Sequence, residues 1–206
     1  MNRREHWERV YSSKAADAVS WYQKHADVSL DWIRTTGIAK TASVIDVGGG
    51  ASTLVDDLLR EGCSSLTVLD VSAAALAGTK ARLGAQAEAV AWIAADITEV
   101  DLPSRSFDLW HDRAVFHFLT AAQDRAAYVR ALLQALKPGG HLIVSTFAED
   151  GPSQCSGLPV VRYSPSALHA EFGSDFALVK HQREEHRTPT GALQRFVYCQ
   201  FRRNAF

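Results

Sequence analysis

Short apolar runs alternate along the chain with segments of helical patterning, and this alternation constrains the fold most strongly. The apolar runs, each of strand length, are residues 43–47, 66–70, 89–94, 107–111 and 141–147. Segments rich in Ala, Leu, Arg and Glu lie between them, at residues 54–61, 73–83 and 125–136. This alternation predicts an α/β fold in which a doubly wound, mostly parallel sheet carries helices on both faces. The apolar character of the runs is typical of strands that are buried on both sides.

The two ends of the chain depart from this pattern. Two extended segments near the carboxyl terminus, 175–182 and 194–202, are joined by a polar link that contains Thr-Pro-Thr-Gly. We expect them to form a hairpin, so that the last strand runs antiparallel to the others. The first 40 residues contain several large aromatic side chains and predict one or two helices that cover part of the sheet.

Composition and charge exclude several classes of partner. The formal net charge of −1 provides no overall positive field to attract nucleic acid or an anionic membrane. The charged amino-terminal segment is not a secretory signal, and no apolar stretch is long enough to span a membrane. Three widely spaced cysteines, Cys63, Cys155 and Cys199, argue against a disulfide framework and a Cys-rich metal site. We therefore predict a cytoplasmic protein without a metal, nucleic acid or membrane partner, and its oligomeric state stays open.

Three consecutive glycines follow the first predicted strand. Gly48, Gly49 and Gly50 lie where this strand must turn into the next helix, just after Asp46. Glycine at such a junction lets backbone amides approach a ligand, and the amino terminus of the helix adds favourable polarity. A tight turn without a ligand uses the same residues, so the loop alone leaves both interpretations open.

Acidic residues at the ends of the next two predicted strands favour a nucleoside ligand. Asp70 lies about twenty residues after the loop, where an acid can accept hydrogen bonds from two ribose hydroxyls. A cap for the following helix is the alternative role. Asp96 follows the third strand, where an acid can accept from an adenine amino group. The absence of a glycine at Thr53 and the closing hairpin both disfavour a dinucleotide site.

The order of these motifs resembles that of the class I S-adenosylmethionine-dependent methyltransferases. The segments that carry the resemblance are DVGGGAS, VLD, AADIT, FDLWHDRAVFHFL and LKPGGHLIVSTF, which together cover about residues 43–147. The resemblance implies a seven-stranded sheet in the order 3-2-1-4-5-7-6 with an antiparallel last strand. It also implies S-adenosyl-L-methionine as the cofactor and a small-molecule or protein side-chain acceptor. An NAD-dependent oxidoreductase and a non-catalytic module that binds a nucleoside cofactor are the alternatives.

The resemblance assigns roles to the matching residues. Asp46 is expected to face the cofactor ammonium group, Asp70 to hold the ribose, and Asp96 to bind the adenine edge. The glycines are expected to let the loop pass under the amino-acid end of the cofactor. The full set of expected cofactor-binding residues is Asp46, Gly48, Gly49, Gly50, Asp70, Val71, Asp96, Ile97, His111 and Trp21.

The amino-terminal segments WERVYSSK and SWYQK resemble the lead-in of several small methyltransferases, some of which modify protein lysines. Tyr11, Trp21 and Tyr22 provide aromatic surfaces that suit a sulfonium cation, and a plain hydrophobic cover helix is the alternative. We expect one domain over residues 1–206. Residues 1–40 are expected to form cover helices, residues 41–147 the cofactor-binding core, and residues 148–206 an acceptor-side loop and the closing hairpin.

Candidates for the chemistry follow the fourth strand and the fifth strand. His111 and Asp112 are candidates for a catalytic contact or base near the methyl group, and Arg113 for an anchor of an acidic acceptor. Structural caps or ion pairs are the alternative for Asp112 and Arg113. Arg162 and Tyr163 end a long loop after the fifth strand and are candidates for binding an acceptor carboxylate, whereas Cys155 is expected to be an inert thiol.

Overall fold

The computed structural model of the chain describes residues 2–205. Its main sheet contains β1 (Ser43–Val47), β2 (Ser65–Asp70), β3 (Val90–Ala94), β4 (Phe107–Arg113), β5 (Leu136–Phe147), β6 (Phe176–Arg187) and β7 (Leu193–Arg203). The helices are α1 (Arg3–Ser13), α2 (Asp27–Thr35), α3 (Leu54–Arg60), α4 (Ala73–Leu83), α5 (Ala122–Ala135) and α6 (Pro165–Phe172). Short 3-10 helices occupy Ala16–Ala18, Gly84–Ala89, Phe116–Phe118 and Gly173–Asp175. A separate pair of two-residue antiparallel strands is formed by Gln154–Cys155 and Leu158–Pro159.

The seven strands are arranged in the order β3-β2-β1-β4-β5-β7-β6. The pairs from β3 to β5 are parallel, and β7 runs antiparallel to both β5 and β6. The turn between β6 and β7 is closed by a hydrogen bond of 2.8 Å from the Thr188 amide to the Ala192 carbonyl. The predicted fold class, strand order and antiparallel last strand are therefore confirmed.

Each face of the sheet carries its own apolar core. One core packs β4 and β5 against α5 and α6, with Trp110, Tyr128 and Phe172 among its buried members. The other packs β1 and β2 against α2, α3 and α4, and it includes Val44 and Leu58. Because neighbouring residues of a strand point to opposite faces, adjacent polar residues of β4 belong to different sides of the molecule.

Two segments differ from the sequence prediction. Helix α6 was not predicted, although Ser164 followed by Pro165 is a helix-start signal, and the Ser164 hydroxyl accepts a hydrogen bond of 3.1 Å from the Ala167 amide. Strand β5 begins at Leu136, directly after α5, and not at His141. Its first residues form an irregular stretch in which Leu136 pairs with Phe107 and His141 with Leu109.

The structure also provides observations on disulfides, membrane-spanning helices and metal-binding clusters. Cys63, Cys155 and Cys199 are all buried and unpaired. Within residues 2–205, no helix combines the length and the apolar character needed to cross a membrane. The same residues contain no group of three or more His, Cys, Asp or Glu side chains arranged to hold a metal ion. The cytoplasmic location stays a prediction.

Candidate functional site

Two adjoining pockets open near the carboxyl ends of the central strands. The larger one, the main pocket, encloses about 700 Å³ including space open to solvent. Its lining includes Asp70, Val71, Asp96, Ile97, Trp7, Tyr11, Trp21 and Phe118. The smaller one, the loop pocket, is lined by residues that include Asp46, Gly49, His111 and Gln23. Trp21, Gly48 and Arg113 line both, so the two pockets form one continuous site.

Two of the loop glycines pack directly against carboxylates, where a side chain would not fit. The Gly50 amide donates a hydrogen bond of 3.0 Å to Oδ2 of Asp70. A Cβ atom on Gly50 would lie 2.6 Å from the same oxygen and 2.7 Å from Cβ of Ala75, and a Cβ atom on Gly49 would overlap the Asp46 carboxylate. Gly48 has a φ of +74°, a conformation that favours glycine. Gly50 itself lies behind Asp70 and does not line either pocket.

The residues after the glycines tie the loop to its surroundings. The Ser52 hydroxyl accepts a hydrogen bond of 3.1 Å from the Leu54 amide at the start of α3. The Thr53 hydroxyl donates one of 3.0 Å to the carbonyl of Gln23, which precedes α2. These hydroxyls therefore stabilise the helix start and hold the amino-terminal segment against the loop.

Asp70 ends β2 with a buried carboxylate. Its Oδ1 accepts from the Ser72 amide at 2.8 Å, and its Oδ2 from Gly50. Burial raises the pKa of Asp70 to about 6, and the negative charges of Asp46 and Glu8 act in the same direction. Each oxygen accepts one amide hydrogen bond, so acceptor capacity remains for a ligand.

Asp96 is held by a residue that the sequence did not indicate. Nη1 of Arg3 donates to Oδ1 and Oδ2 of Asp96 at 2.9 and 2.6 Å, and Nη2 of Arg3 donates to Asp124 at 2.7 Å. Burial alone would raise the pKa of Asp96, but hydrogen bonds from Thr98 and the Arg3 cation outweigh it and lower that pKa. Nothing in the local sequence marks Arg3, because its partner lies 93 positions away.

Helix α1 is docked over the main pocket by a second contact. The Glu8 carboxylate accepts from the amides of Ala73 and Ala74 at 2.7 and 3.1 Å, and from the Ser72 hydroxyl at 3.0 Å. These groups form the amino terminus of α4, where a negative charge is stabilised by the unpaired amides and the helix dipole. Because α1 is fixed in this position, Trp7 and Tyr11 become part of the pocket lining.

His111 is the centre of a buried chain of hydrogen bonds. The register of β1 and β4 places it beside Asp46, and its Nδ1 lies 2.6 Å from Oδ1 of that residue. Its Nε2 lies 2.8 Å from the Ser29 hydroxyl, which lies 3.1 Å from the Tyr198 hydroxyl. Nε of Arg113 donates to Tyr198 at 3.0 Å. Because an ionised Asp46 can only accept, Nδ1 donates to it, and a neutral imidazole then accepts at Nε2 from the Ser29 hydroxyl.

The same contacts bear on the prediction that His111 is a catalytic contact or base. His111 lines the loop pocket, but both of its ring nitrogens have protein partners and only 2% of its surface is exposed. The contacts assign it to the orientation of Asp46. Ser29 and Tyr198, which complete the chain, were not predicted as site residues, since nothing in the sequence shows that α2 and β7 meet here.

Arg113, the candidate anchor for an acidic acceptor, lines both pockets, and its guanidinium is largely engaged. Besides Tyr198, it donates to the Trp21 carbonyl at 3.1 Å and lies over the ring of Phe196 at 4.6 Å. Its Nη2 is 3.5 Å from Oε2 of Glu184, and neither of these two atoms has a hydrogen-bond partner. Glu184 is held in turn by Nε2 of Gln23, at 2.9 Å from its Oε1.

Asp112, the other predicted catalytic residue, lies away from both pockets. Asp112 is fully buried on the face of β4 opposite to His111, and it lines neither pocket. Its Oδ1 accepts from the Val115 amide at 2.9 Å, and its Oδ2 from the Tyr128 hydroxyl at 2.7 Å. Burial raises the pKa of Asp112 to about 6. The carboxylate therefore fixes the turn after β4, which is the alternative role that the sequence left open.

Arg162 and Tyr163 are likewise not part of this site. Arg162 is exposed and donates to the Gly151 carbonyl at 3.3 Å. Tyr163 is buried in the core against Phe116, with ring centroids 5.7 Å apart. The loop after β5 contributes a different residue, since the buried Cys155 lines the main pocket. Burial raises the pKa of this thiol, in agreement with the inert thiol expected from the sequence.

The fold and the site geometry together indicate a class of proteins. An open α/β sheet of this order, with acidic strand ends around one pocket, defines the class of Rossmann-like proteins that bind nucleoside cofactors. A family model described as a methyltransferase domain matches residues 45–144, the segment that supplies these strand ends. Over these residues the chain is similar to a methyltransferase domain.

Two curated relatives are similar to part of the chain. Nodulation protein S of Rhizobium tropici is 30% identical over 102 residues, which are 50% of this chain and 42% of that protein. The ubiquinone biosynthesis O-methyltransferase of Ralstonia nicotianae is 31% identical over 120 residues, 57% and 48% of the two chains. The chain therefore spans about half the length of the curated relatives that it matches.

A solved structure extends the likeness to the whole fold. The N-methyltransferase NodS of Bradyrhizobium japonicum WM9, in complex with S-adenosyl-L-homocysteine, superposes with a TM-score of 0.72. The two chains are 19% identical, and the match covers 95% of this chain and 97% of that one. The partial resemblance to small protein-lysine methyltransferases is not confirmed by these matches.

Proposed function

We propose that this chain is an S-adenosylmethionine-dependent methyltransferase and that the main and loop pockets together hold the cofactor. The observation that carries the proposal is the convergence of Asp46, Asp70 and Asp96, from three adjacent strands, on one continuous site. The alternative of an NAD-dependent oxidoreductase has no support in the family match, which is to a methyltransferase domain.

The side chains present fit this cofactor. Oδ2 of Asp46 is buried without a hydrogen-bond partner, and a buried carboxylate oxygen in this state calls for a donor such as an ammonium group. Asp70 would accept hydrogen bonds from the two ribose hydroxyls, and Val71 would contact the adenine. Asp96 would accept from the adenine amino group, beside the Ile97 backbone.

The residues of the chain have two tasks in methyl transfer. S-adenosylmethionine, when bound, supplies a methyl group activated by a positively charged sulfur. Trp21 and Arg113, at the junction of the two pockets, would orient the acceptor towards that group, and α1 would exclude water. Alignment of two reactants in this way is worth roughly 7–11 kcal/mol. The acceptor in this proposal is a small molecule or a protein side chain.

Calorimetric titration of the full chain with S-adenosylhomocysteine tests the proposal. We expect binding in a 1:1 complex and no binding of NAD. Asp46→Asn is expected to weaken the complex about tenfold or more, because one charge-assisted hydrogen bond is worth about 1.5–3 kcal/mol. Asp31→Asn on the exposed side of α2 serves as the matched control and is expected to change nothing. A wild-type protein that shows no binding at millimolar ligand would overturn the proposal.

A second measurement separates an enzyme from a binding module. The protein is incubated with tritiated S-adenosylmethionine and pools of metabolites and proteins. An enzyme labels at least one fraction, whereas a non-catalytic module binds the cofactor and labels none.

A further inference from the structure

The lining of the main pocket also contains a group of aromatic rings. This aromatic wall consists of Trp7, Tyr11, Trp21 and Phe118. The ring centroids of Trp7 and Phe118 are 5.0 Å apart at 77°, and those of Trp7 and Trp21 are 5.6 Å apart at 82°. Edge-to-face rings of this kind form a rigid apolar surface on which another flat ring can stack.

The acidic and imidazole groups that line the two pockets are engaged. Among the described residues, Asp70 and Asp96 hold amides, hydroxyls and Arg3, and both nitrogens of His111 are bonded. The unpartnered oxygen of Asp46 is the one that fits the cofactor ammonium group. The acceptor capacity that remains on Asp70 fits the ribose hydroxyls, so with the cofactor bound none of these groups is left to take a proton from an acceptor that arrives protonated.

Among the groups that line the main pocket, the Tyr11 hydroxyl and the Cys155 thiol act as acids at neutral pH. Burial raises the pKa of Tyr11, and the nearby charge of Asp70 adds to the effect. Burial likewise raises the pKa of the Cys155 thiol. Both groups therefore stay protonated, so they can donate hydrogen bonds but cannot accept a proton from an acceptor.

The charge at the junction of the pockets also limits the acceptor. The Arg113 side chain is 9% exposed, lines both pockets, and has one nitrogen, Nη2, without a hydrogen-bond partner. Glu184 offsets this charge, because its Oε2 lies 3.5 Å from Nη2. The open N–H donor on Nη2 still favours an electron-rich neighbour. A lysine-like ammonium group would find no base to remove its proton.

We propose, on the basis of the methyltransferase function proposed above, that the acceptor is a flat aromatic molecule whose attacking atom already has a free lone pair. An aromatic thiolate and an unprotonated ring nitrogen both meet this description. The acceptor lone pair forms the new bond to the methyl carbon, the carbon–sulfur bond breaks, and its electron pair goes to the cofactor sulfur. A thiolate becomes a neutral thioether and a ring nitrogen becomes an N-methyl cation, so no proton passes to the protein.

The test compares four probes with the full chain and saturating S-adenosylmethionine: benzenethiol, quinoline, phenol and benzylamine. Methylated product is measured by mass spectrometry. We expect kcat/KM for benzenethiol or quinoline to exceed that for phenol and benzylamine by about 100-fold or more, because a positioned base contributes at least that factor to acceptors that need one. Comparable rates for phenol or benzylamine, or transfer to none of the four, would contradict the inference.

The pH dependence provides an independent readout. With a series of substituted benzenethiols, the rate is expected to rise through the pKa of each thiol, and thus to move with the acceptor. A pH profile that stays fixed across the series would reveal a protein base and overturn the inference.

Variants of the aromatic wall test whether the acceptor stacks on it. Phe118→Ala is expected to raise KM for quinoline or benzenethiol about tenfold, because an aromatic contact is worth about 0.5–1.5 kcal/mol beyond its area. Phe118→Leu serves if the alanine variant does not fold, and Trp92→Phe, outside both pockets, is the control. Affinity for S-adenosylhomocysteine is measured in parallel. If that ligand does not bind the wild-type chain, the proposed function fails; if it binds and KM does not change, only this inference fails.

Discussion

Nδ1 of His111 lies 2.6 Å from Oδ1 of Asp46, and the two side chains belong to neighbouring strands of the sheet. Each has less than a twentieth of its surface exposed. The histidine donates to one carboxylate oxygen and leaves the other, Oδ2, without a partner. The pair thus presents a single oriented oxygen beside the glycine loop.

Replacement of His111 by alanine is expected to weaken both the fold and the cofactor complex. It removes the buried partner of Asp46 and one of the two partners of Ser29, and a buried group left unsatisfied costs about 1–3 kcal/mol. Urea unfolding measures the stability, and titration with S-adenosylhomocysteine the affinity. His111→Asn, whose amide can donate to Asp46, is expected to restore part of the affinity. Equal losses in the two variants would argue against a positioning role.

Affinity for S-adenosylhomocysteine is expected to fall as the pH is lowered through the pKa of Asp70. That pKa is about 6, so the carboxylate is ionised above this value and protonated below it. If the ionised form alone binds the ribose, affinity at pH 5 is about tenfold lower than at neutral pH. Calorimetry across this range measures the change. Asp70→Asn is expected to bind weakly and without this dependence, and an unchanged pH profile in that variant would contradict the assignment.

Gly50→Ala is expected to reduce stability and cofactor affinity together. The added methyl group would press on Asp70 and Ala75, so the carboxylate must move away from the loop amide. A loss of about 1–3 kcal/mol in the free energy of unfolding is expected from the overpacking. Thermal unfolding with and without S-adenosylhomocysteine measures both effects.

Gly78→Ala is the matched control for Gly50→Ala. Gly78 lies inside α4, and a Cβ atom there meets no other atom within 4 Å. Because alanine favours a helix interior over glycine, this variant is expected to gain about 0.5–1 kcal/mol of stability and to bind the ligand unchanged. A similar loss in both variants would show that the loop is not the cause.

Arg3→Ala is expected to loosen α1 and to weaken the cofactor complex about threefold, because a partly exposed ion pair contributes little binding energy. Arg3 ties the start of α1 to Asp96 and Asp124, so hydrogen exchange over residues 3–13 is expected to become faster. Arg3→Lys keeps the charge and is expected to have a smaller effect. Tighter binding by the alanine variant would instead mean that Arg3 competes with the adenine for Asp96.

The sequence predicted the parts of this protein that depend on local pattern. Strand β1 and helix α4 have the predicted bounds, because alternating apolar strands and a capped, alanine-rich helix are set by neighbouring residues. The order of the motifs, through its resemblance to a known family, predicted the strand order. It also predicted that Asp46, Asp70 and Asp96 reach one site, since the carboxyl ends of parallel strands lie at the same edge of a sheet.

The tertiary structure decided which neighbouring groups these side chains meet. His111 and Asp112 are adjacent in sequence, yet they serve opposite faces of β4 and therefore have different partners. Ser29 and Tyr198 are 169 positions apart and meet in one hydrogen-bond chain, and Arg3 reaches Asp96 across the pocket. The sequence by itself determined the sheet and its acidic edge, because periodicity and turn chemistry act over short distances. The proton donors and acceptors available in the site were decided only by the packing of segments that are distant in the chain.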